Sequence, residues 1–437
     1  MEQQLRRDLG LTEALFTVIG TVIGSGIFAL PAVVFTAARA PGLGIAAWVL
    51  GGLISLAAGL TVAELSAAMP RAGGTYVFLR EAYGEWMGFL QGWATFLAYN
   101  SAMMAALSML FTSYLTVFVP LTATGQKLVG LLSIIVLTAV NALGVRFGGF
   151  IQVVATVGKL IPIFLLIIFG AGQVDAARLT PFLPQGPEGA SLATALAGAV
   201  LPVLWAYDGW ILVGQLAEEV RHPHRSIPLA LIGGIAVVTV IYSAFNWVLA
   251  GVVPMNVLTA SERPVVPLAQ QLFGTAGSRL ITAGMLVSMF GTLNAVVMTA
   301  PRYYLAMARD GLFPSARLMA TLHPRHQTPV TALLVSAAWA TVLLLSGRFG
   351  QLLNLVVLVA WVFYLLTMVA VIILRRTRPE MPRPYRVWGY PVVPLIGISA
   401  ALWIVLSSFT TDIRTALIGM ALTATGFPAY WLIKRRT

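Results

Sequence analysis

From Leu11 to Ile433 the chain is a succession of apolar runs, set apart by short polar stretches. The runs are about 18 to 34 residues long, where about 20 helical residues cross the hydrocarbon core of a bilayer. The chain is 59% hydrophobic and 10% charged, against roughly 25% charged residues in a soluble domain. So apolar a surface needs lipid as its solvent, which predicts an all-α membrane protein.

The runs predict twelve spans. They lie at about 11–37, 42–67, 86–119, 126–143, 148–171, 191–217, 228–252, 277–308, 328–346, 350–374, 391–410 and 412–433. Spans one, three and eight exceed what a straight crossing needs, so they tilt, break or protrude. The first run is also too long for a signal-peptide core, so no cleavable leader is expected. With the N-terminus in the cytoplasm, nineteen of the 27 Lys and Arg residues fall in inner segments, seven in outer segments and one, Lys159, inside a span. That bias fixes the orientation, and an even number of spans brings the C-terminus back to the same side. It also accounts for the net charge of +12 without a nucleic acid partner.

Two spans carry breaks near their middles. Span one reads Gly20-Thr-Val-Ile-Gly24-Ser25-Gly26-Ile-Phe28 with Pro31 beyond; span six reads Pro202-Val-Leu-Trp205-Ala-Tyr207-Asp208-Gly209-Trp210. They are the first members of two blocks of five spans, residues 11–171 and 191–374, with spans at 391–433 left over. An odd block size gives the two copies opposite orientations. Paired interruptions in inverted repeats point to a transporter's midplane site. Unwinding at Gly24–Gly26 frees N–H groups that suit an anion, and the half-helices ending at the midplane leave carbonyls that suit a cation. A zwitterion such as an amino acid fits between the two, and glycine at 24 and 26 lets it approach the backbone closely.

At these residues the sequence resembles the amino acid–polyamine–organocation superfamily, and within it the L-type group with its bacterial, sodium-independent neutral amino acid exchangers. The resemblance is carried by Gly24-Ser-Gly-Ile-Phe28, Pro70-Arg-Ala-Gly-Gly-Thr-Tyr76 leading to Leu79-Arg-Glu-Ala-Tyr-Gly84, Trp205-Ala-Tyr-Asp-Gly-Trp210, and Glu218-Glu219 through Pro223 to Ile227-Pro228-Leu229. It implies a five-plus-five inverted-repeat fold of the LeuT kind, with helices one and six discontinuous and the last two spans peripheral. It implies that the substrate carboxylate meets the N–H groups of Ser25 and Gly26, beside Gly24. The amino group would meet carbonyls near Val22, Trp205 and Asp208, with Tyr207 and Gly209 in the same unwound segment. Trp205 would cap the pocket as an outer gate, and Tyr242 on span seven would be a second contact. Eukaryotic members of the L-type group bind a glycoprotein subunit through a cysteine. This chain has none, so the resemblance implies a stand-alone bacterial protein of the inner membrane with no disulfide-linked subunit.

The polar residues inside spans carry open alternatives. Lys159 is a fixed cation standing where sodium-coupled relatives bind an ion, a proton carrier, or a structural cation on the carbonyls of span one; an intramembrane lysine is functional by default. Ser288 on span eight is a candidate neighbour of Lys159. Asp208 either reads a cationic substrate or, the reading preferred here, caps the inner half-helix. Glu218 and Glu219 form an inner gate or a solvated pair. Glu64, at the end of span two, is expected to pair with a loop arginine. Tyr99, Asn100, Asn246, Asn294 and Tyr364 are expected to hold helices together. Gly73-Gly74 with Tyr76 predicts a cytoplasmic re-entrant or amphipathic loop, and residues 264–273 an outer loop that closes the entrance as a lid.

The expected function is sodium-independent alternating-access exchange of neutral L-amino acids, the bulk of Trp205 favouring small ones such as Ala, Ser and Thr. The alternative is a proton-coupled or exchange transporter of cationic amino acids or amines, held by Asp208. Other classes lack their residues. There is no GxxxxGK[ST] loop for a pump, no filter repeat for a channel and no cysteine or HExxH for an enzyme's metal or thiol. No cofactor and no metal is expected.

Overall fold

A computed structural model describes residues 9–71, 73–184, 192–326, 328–347 and 349–435. Among these the chain is helical throughout, with an isolated β-bridge between Leu9 and Val220 and no strand. Eleven helices are long and apolar enough to cross a membrane. The ninth predicted span is a shorter apolar helix, Val330–Ser346. The side chains that face outward are those lipid would cover, among them Val240, Ile168 and Leu280, at 69%, 66% and 72% exposed.

The break in span one is where the glycines placed it. One helix runs Leu11–Val22 and the next begins at Gly26, continuing past Leu30 into Pro31–Ala38. Span six is α-helical over Leu192–Ala206, turns at 207–209 and proceeds as a ten-residue 3₁₀ helix, Trp210–Glu219. Gly209 adopts φ +106°, which an L side chain rarely tolerates, and a Cβ there would lie 2.9 Å from the Thr21 carbonyl oxygen. The two breaks therefore lie against each other, backbone to backbone.

Packing inside a membrane relies on small residues that let helices approach. Span two (Pro41–Ala68) meets span seven (Pro223–Val252) where Gly52 faces Thr239 and Gly59 faces Ile235. Span five (Val145–Ala171) meets span eight at Gly291 on Ala155, Val287 on Gly158 and Gly284 on Pro162. Span three is two α-helices, Glu85–Ala94 and Ser101–Leu115, joined by a π-helical turn, Thr95–Asn100. The Ser101 hydroxyl donates to the Phe96 carbonyl at 2.8 Å and fills part of the ladder that the turn leaves open.

The segment predicted as an outer loop, 264–273, is helical instead. Span eight and this segment form Val265–Arg309, kinked at Gly274 where φ is +65°. Its loop-like signals are prolines at helix-compatible places: Pro264 is the N-cap and Pro267 lies in the first turn, where a missing N–H costs nothing. After span two, Gly74 caps a short helix, Thr75–Tyr83, whose first turns are buried. Tyr76 donates to Asp310 at 2.6 Å, and Arg80 pairs with the same carboxylate. Burial, followed by the bond to Asp310, holds the Tyr76 hydroxyl above its ordinary range, so it stays protonated and keeps donating.

Candidate substrate site

The facing breaks enclose a small cavity lined by Thr21, Val22, Gly24, Ser25 and Gly26 of span one. Trp205, Ala206, Asp208, Gly209 and Leu212 come from span six, Tyr99, Asn100, Met103 and Leu107 from span three, and Thr292 and Val296 from span eight. Seven of the nine residues expected to touch substrate thus line one space. The cavity is about 30 Å³, room for about two waters. A molecule the size of an amino acid fits there only if the surrounding helices separate.

Span one supplies donors. The N–H groups of Ser25, Gly26 and Ile27 have no backbone acceptor among the described residues, as expected for a helix's first turn. The Ser25 hydroxyl, 1% exposed, likewise has no partner among them. Close packing holds these groups in place. A Cβ on Gly26 would lie 2.7 Å from both Cα and Cβ of Ala206 and 3.3 Å from the Trp205 ring; one on Gly24 would lie 3.0 Å from the Thr292 methyl. Glycine is required at 26 because the two broken spans touch there.

The carbonyls of the breaks are partly occupied. Tyr242, fully buried, donates to the Val22 carbonyl at 2.8 Å, with the Ala206 carbonyl at 3.2 Å. One hydroxyl ties the end of span one's first half to the end of span six's first half. Tyr242 therefore sits behind the cavity, outside its lining. Tyr207 also turns away: its hydroxyl donates to the Trp48 carbonyl at 3.0 Å, and its ring packs against Trp48 and Tyr242. Replacing Tyr242 with Phe removes the tie, a loss of about 1–2 kcal/mol. We expect initial exchange rates in Tyr242→Phe proteoliposomes to fall roughly tenfold with expression unchanged.

Lys159 is 0% exposed and donates to the Gly20 carbonyl. That carbonyl belongs to the last turn of Leu11–Val22, the negative end of that half-helix's dipole. That bond is the one the structural alternative for Lys159 calls for, and it leaves the other two alternatives open. Ser288 is buried on span eight, one residue beyond the Val287–Gly158 contact, and its hydroxyl has no partner among the described residues.

Asp208 departs from its preferred reading as a cap. The 3₁₀ helix starts after Gly209 and no side chain caps it. The Asp208 carboxylate instead accepts from two tyrosines, Tyr99 on span three to one oxygen and Tyr364 on span ten to the other, both at 2.6 Å. Three spans meet at one buried carboxylate. Sequence reasoning gave Tyr99 and Tyr364 only a general helix-joining role, which they do fill. Asn100 and Asn294 also join helices, to Tyr304 and Asn141, whereas the Asn246 amide bonds within its own helix. A signal for Tyr99 does exist in the structure: it lies in the π-turn, a deformation frequent at functional sites.

Glu64 pairs with arginines as expected. It takes a two-pronged bond from Arg375, at 2.8 and 2.5 Å, and an ion pair with Arg383 at 3.4 Å. The side chains of Glu218 and Glu219 lie outside the described residues, and with them the expected inner gate.

The sequence has a match over almost the whole chain: the family model described as amino acid permease aligns with residues 9–431. The chain belongs to the amino acid permease family. Its members are transport proteins and not enzymes. The permease is 35% identical to the serine/threonine exchanger SteT of Bacillus subtilis (strain 168) over 99% of this chain and 98% of that protein. It is 30% identical to the Asc-type amino acid transporter 1 of Mus musculus, over 98% of this chain and 81% of the relative. It is 29% identical to the large neutral amino acids transporter small subunit 2 of Homo sapiens, over 98% and 80%. This permease is a multi-pass membrane protein of that family.

Proposed function

We propose that this permease is a sodium-independent exchanger of small neutral L-amino acids, serine, threonine and alanine foremost. The observation that carries the reading is the shared cavity of the two breaks: unpaired N–H groups of Ser25 and Gly26 face it from one side, and a carboxylate already answered by two hydroxyls faces it from the other. The substrate carboxylate binds those N–H groups, and its amino group binds the carbonyls of the span-six turn. The full-length likeness to a serine/threonine exchanger supports the same substrate class.

Alternating access follows from an inverted repeat, residues 11–171 against 191–374, with the helices of 391–433 peripheral and twelve crossings in all. Neighbour relations support it. Under the exchange of span one for six, two for seven, three for eight, four for nine and five for ten, several neighbour pairs have their counterpart: one packs on seven as six packs on two, and five on eight as ten on three. Lys159 is the fixed cation that replaces a coupling ion, its ammonium on the Gly20 carbonyl. Both termini lie in the cytoplasm, and the protein belongs to a bacterial inner membrane.

The second reading, a carrier of cationic amino acids, rests on Asp208 lining the cavity. It is the weaker one because both carboxylate oxygens are engaged. Competition separates the two. With labelled serine outside and unlabelled serine inside proteoliposomes, excess alanine or threonine is expected to suppress uptake, arginine to leave it intact, and replacement of sodium by choline to change nothing. Suppression by arginine at equal concentration would shift the assignment to the cationic reading.

A further inference from the structure

We propose that the cytoplasmic segment between spans ten and eleven is a docking site for anionic phospholipid of the inner leaflet. Residues 375–391 carry five arginines against one acidic residue, Glu380. Three of the five are spent: Arg375 and Arg383 on Glu64, and Arg378 on Glu81. Arg376 and Arg386 are exposed, and neither has an ion pair or hydrogen bond among the described residues. Arg376 lies in the last turn of span ten (Phe349–Thr377), the end of the apolar run where headgroups are met.

Trp388 adds the argument for lipid over a soluble anion. It is 77% exposed and lies four residues before span eleven, Val392–Thr411. An indole so exposed beside the start of a membrane helix sits where aromatic belts form. Outward-facing Val392, Leu395 and Ile396 continue the apolar face into the bilayer. The segment presents these groups on a fixed frame. Arg383 donates to the carbonyls of Leu374, Arg378, Pro379 and Met381, and the Val387 N–H donates to Glu64 at 2.7 Å. Arg375 also lies over the Tyr390 ring at 3.7 Å. A cluster of cations directly cytoplasmic of a span attracts anionic headgroups, and here two free ones stand beside an indole on a preorganised loop. Because the same loop holds Glu64, a headgroup bound there bears on the inner end of span two.

The test is lipid binding, which stands apart from any transport activity. The purified full chain is placed in bilayers of phosphatidylcholine with spin-labelled phosphatidylglycerol or spin-labelled phosphatidylcholine, and the immobilised fraction is compared. The wild type is expected to favour phosphatidylglycerol. Arg376→Gln with Arg386→Gln should lower that preference about thirtyfold, and Trp388→Ala should lower the immobilised fraction of both lipids. Arg317→Gln with Arg325→Gln, the same charge change on another cytoplasmic loop, should leave it in place. Native mass spectrometry, counting retained phosphatidylglycerol on folded protein, gives the same comparison without the bilayer. Glycerol phosphate should fail to displace the lipid. An unchanged preference in the Arg376/Arg386 variant, an equal loss in the control variant, or displacement by glycerol phosphate would overturn the proposal.

Discussion

Gly26→Val is expected to abolish serine exchange while the protein still inserts and purifies normally. Even the first side-chain carbon would lie 2.7 Å from the Ala206 Cα, a backbone atom that cannot swing aside. The two further methyls would enter a cavity of about 30 Å³. The substitution therefore pushes the broken spans apart where their N–H groups and carbonyls have to converge on one molecule. The fall should exceed a hundredfold, equivalent to about 3 kcal/mol, in the range that overpacking reaches. Gly172→Ala is the control, since a Cβ there meets nothing within 4 Å. Initial rates in proteoliposomes, normalised to inserted protein, check both. Wild-type exchange in Gly26→Val would place the substrate elsewhere.

The second large effect is expected at Asp208. Each hydrogen bond to a buried charged group contributes about 1.5–3 kcal/mol, and this carboxylate has one from Tyr99 and one from Tyr364. Replacing both tyrosines with Phe leaves the carboxylate short of donors in a buried site. Serine exchange should fall about a hundredfold or more. A cationic side chain then becomes the group best able to satisfy the carboxylate, so ornithine or arginine should begin to compete. Asp208→Asn, which can still bond both hydroxyls, should retain more serine exchange than the double Phe variant and gain no cationic substrate. The measurement is a competition series for the wild type and the two variants. Serine rates in the double variant equal to those of the wild type would show that the tyrosines do not support the site.

Spans and breaks were legible for physical reasons. Apolar length reports the bilayer thickness, and Gly26 and Gly209 mark the places where backbones approach or φ turns positive. The clamp on Asp208 was not legible. Its tyrosines are 109 and 156 residues away along the chain, and nothing in a lone polar residue within an apolar run says which span it faces. Tyr207 shows a different limit. It sits next to Asp208 in the motif, yet it points to Trp48, because the helical period that relates neighbouring directions is lost where the helix unwinds. The extension of span eight back to Val265 was not legible because Pro264 and Pro267 suit a loop and a helix start equally. Glu64 was readable as one half of an ion pair. That it takes two arginines and a backbone N–H depends on how the loop after span ten folds around Arg383, which no local pattern records.

The central claim, exchange through the cavity between the breaks, is tested most directly by uptake of radiolabelled serine into proteoliposomes in sodium-free buffer, with and without unlabelled serine inside. The account predicts rapid uptake into loaded vesicles and uptake at background into empty ones, with Gly26→Val at background in both. Equal uptake into empty and loaded vesicles, or uptake that needs sodium or a proton gradient, would contradict it.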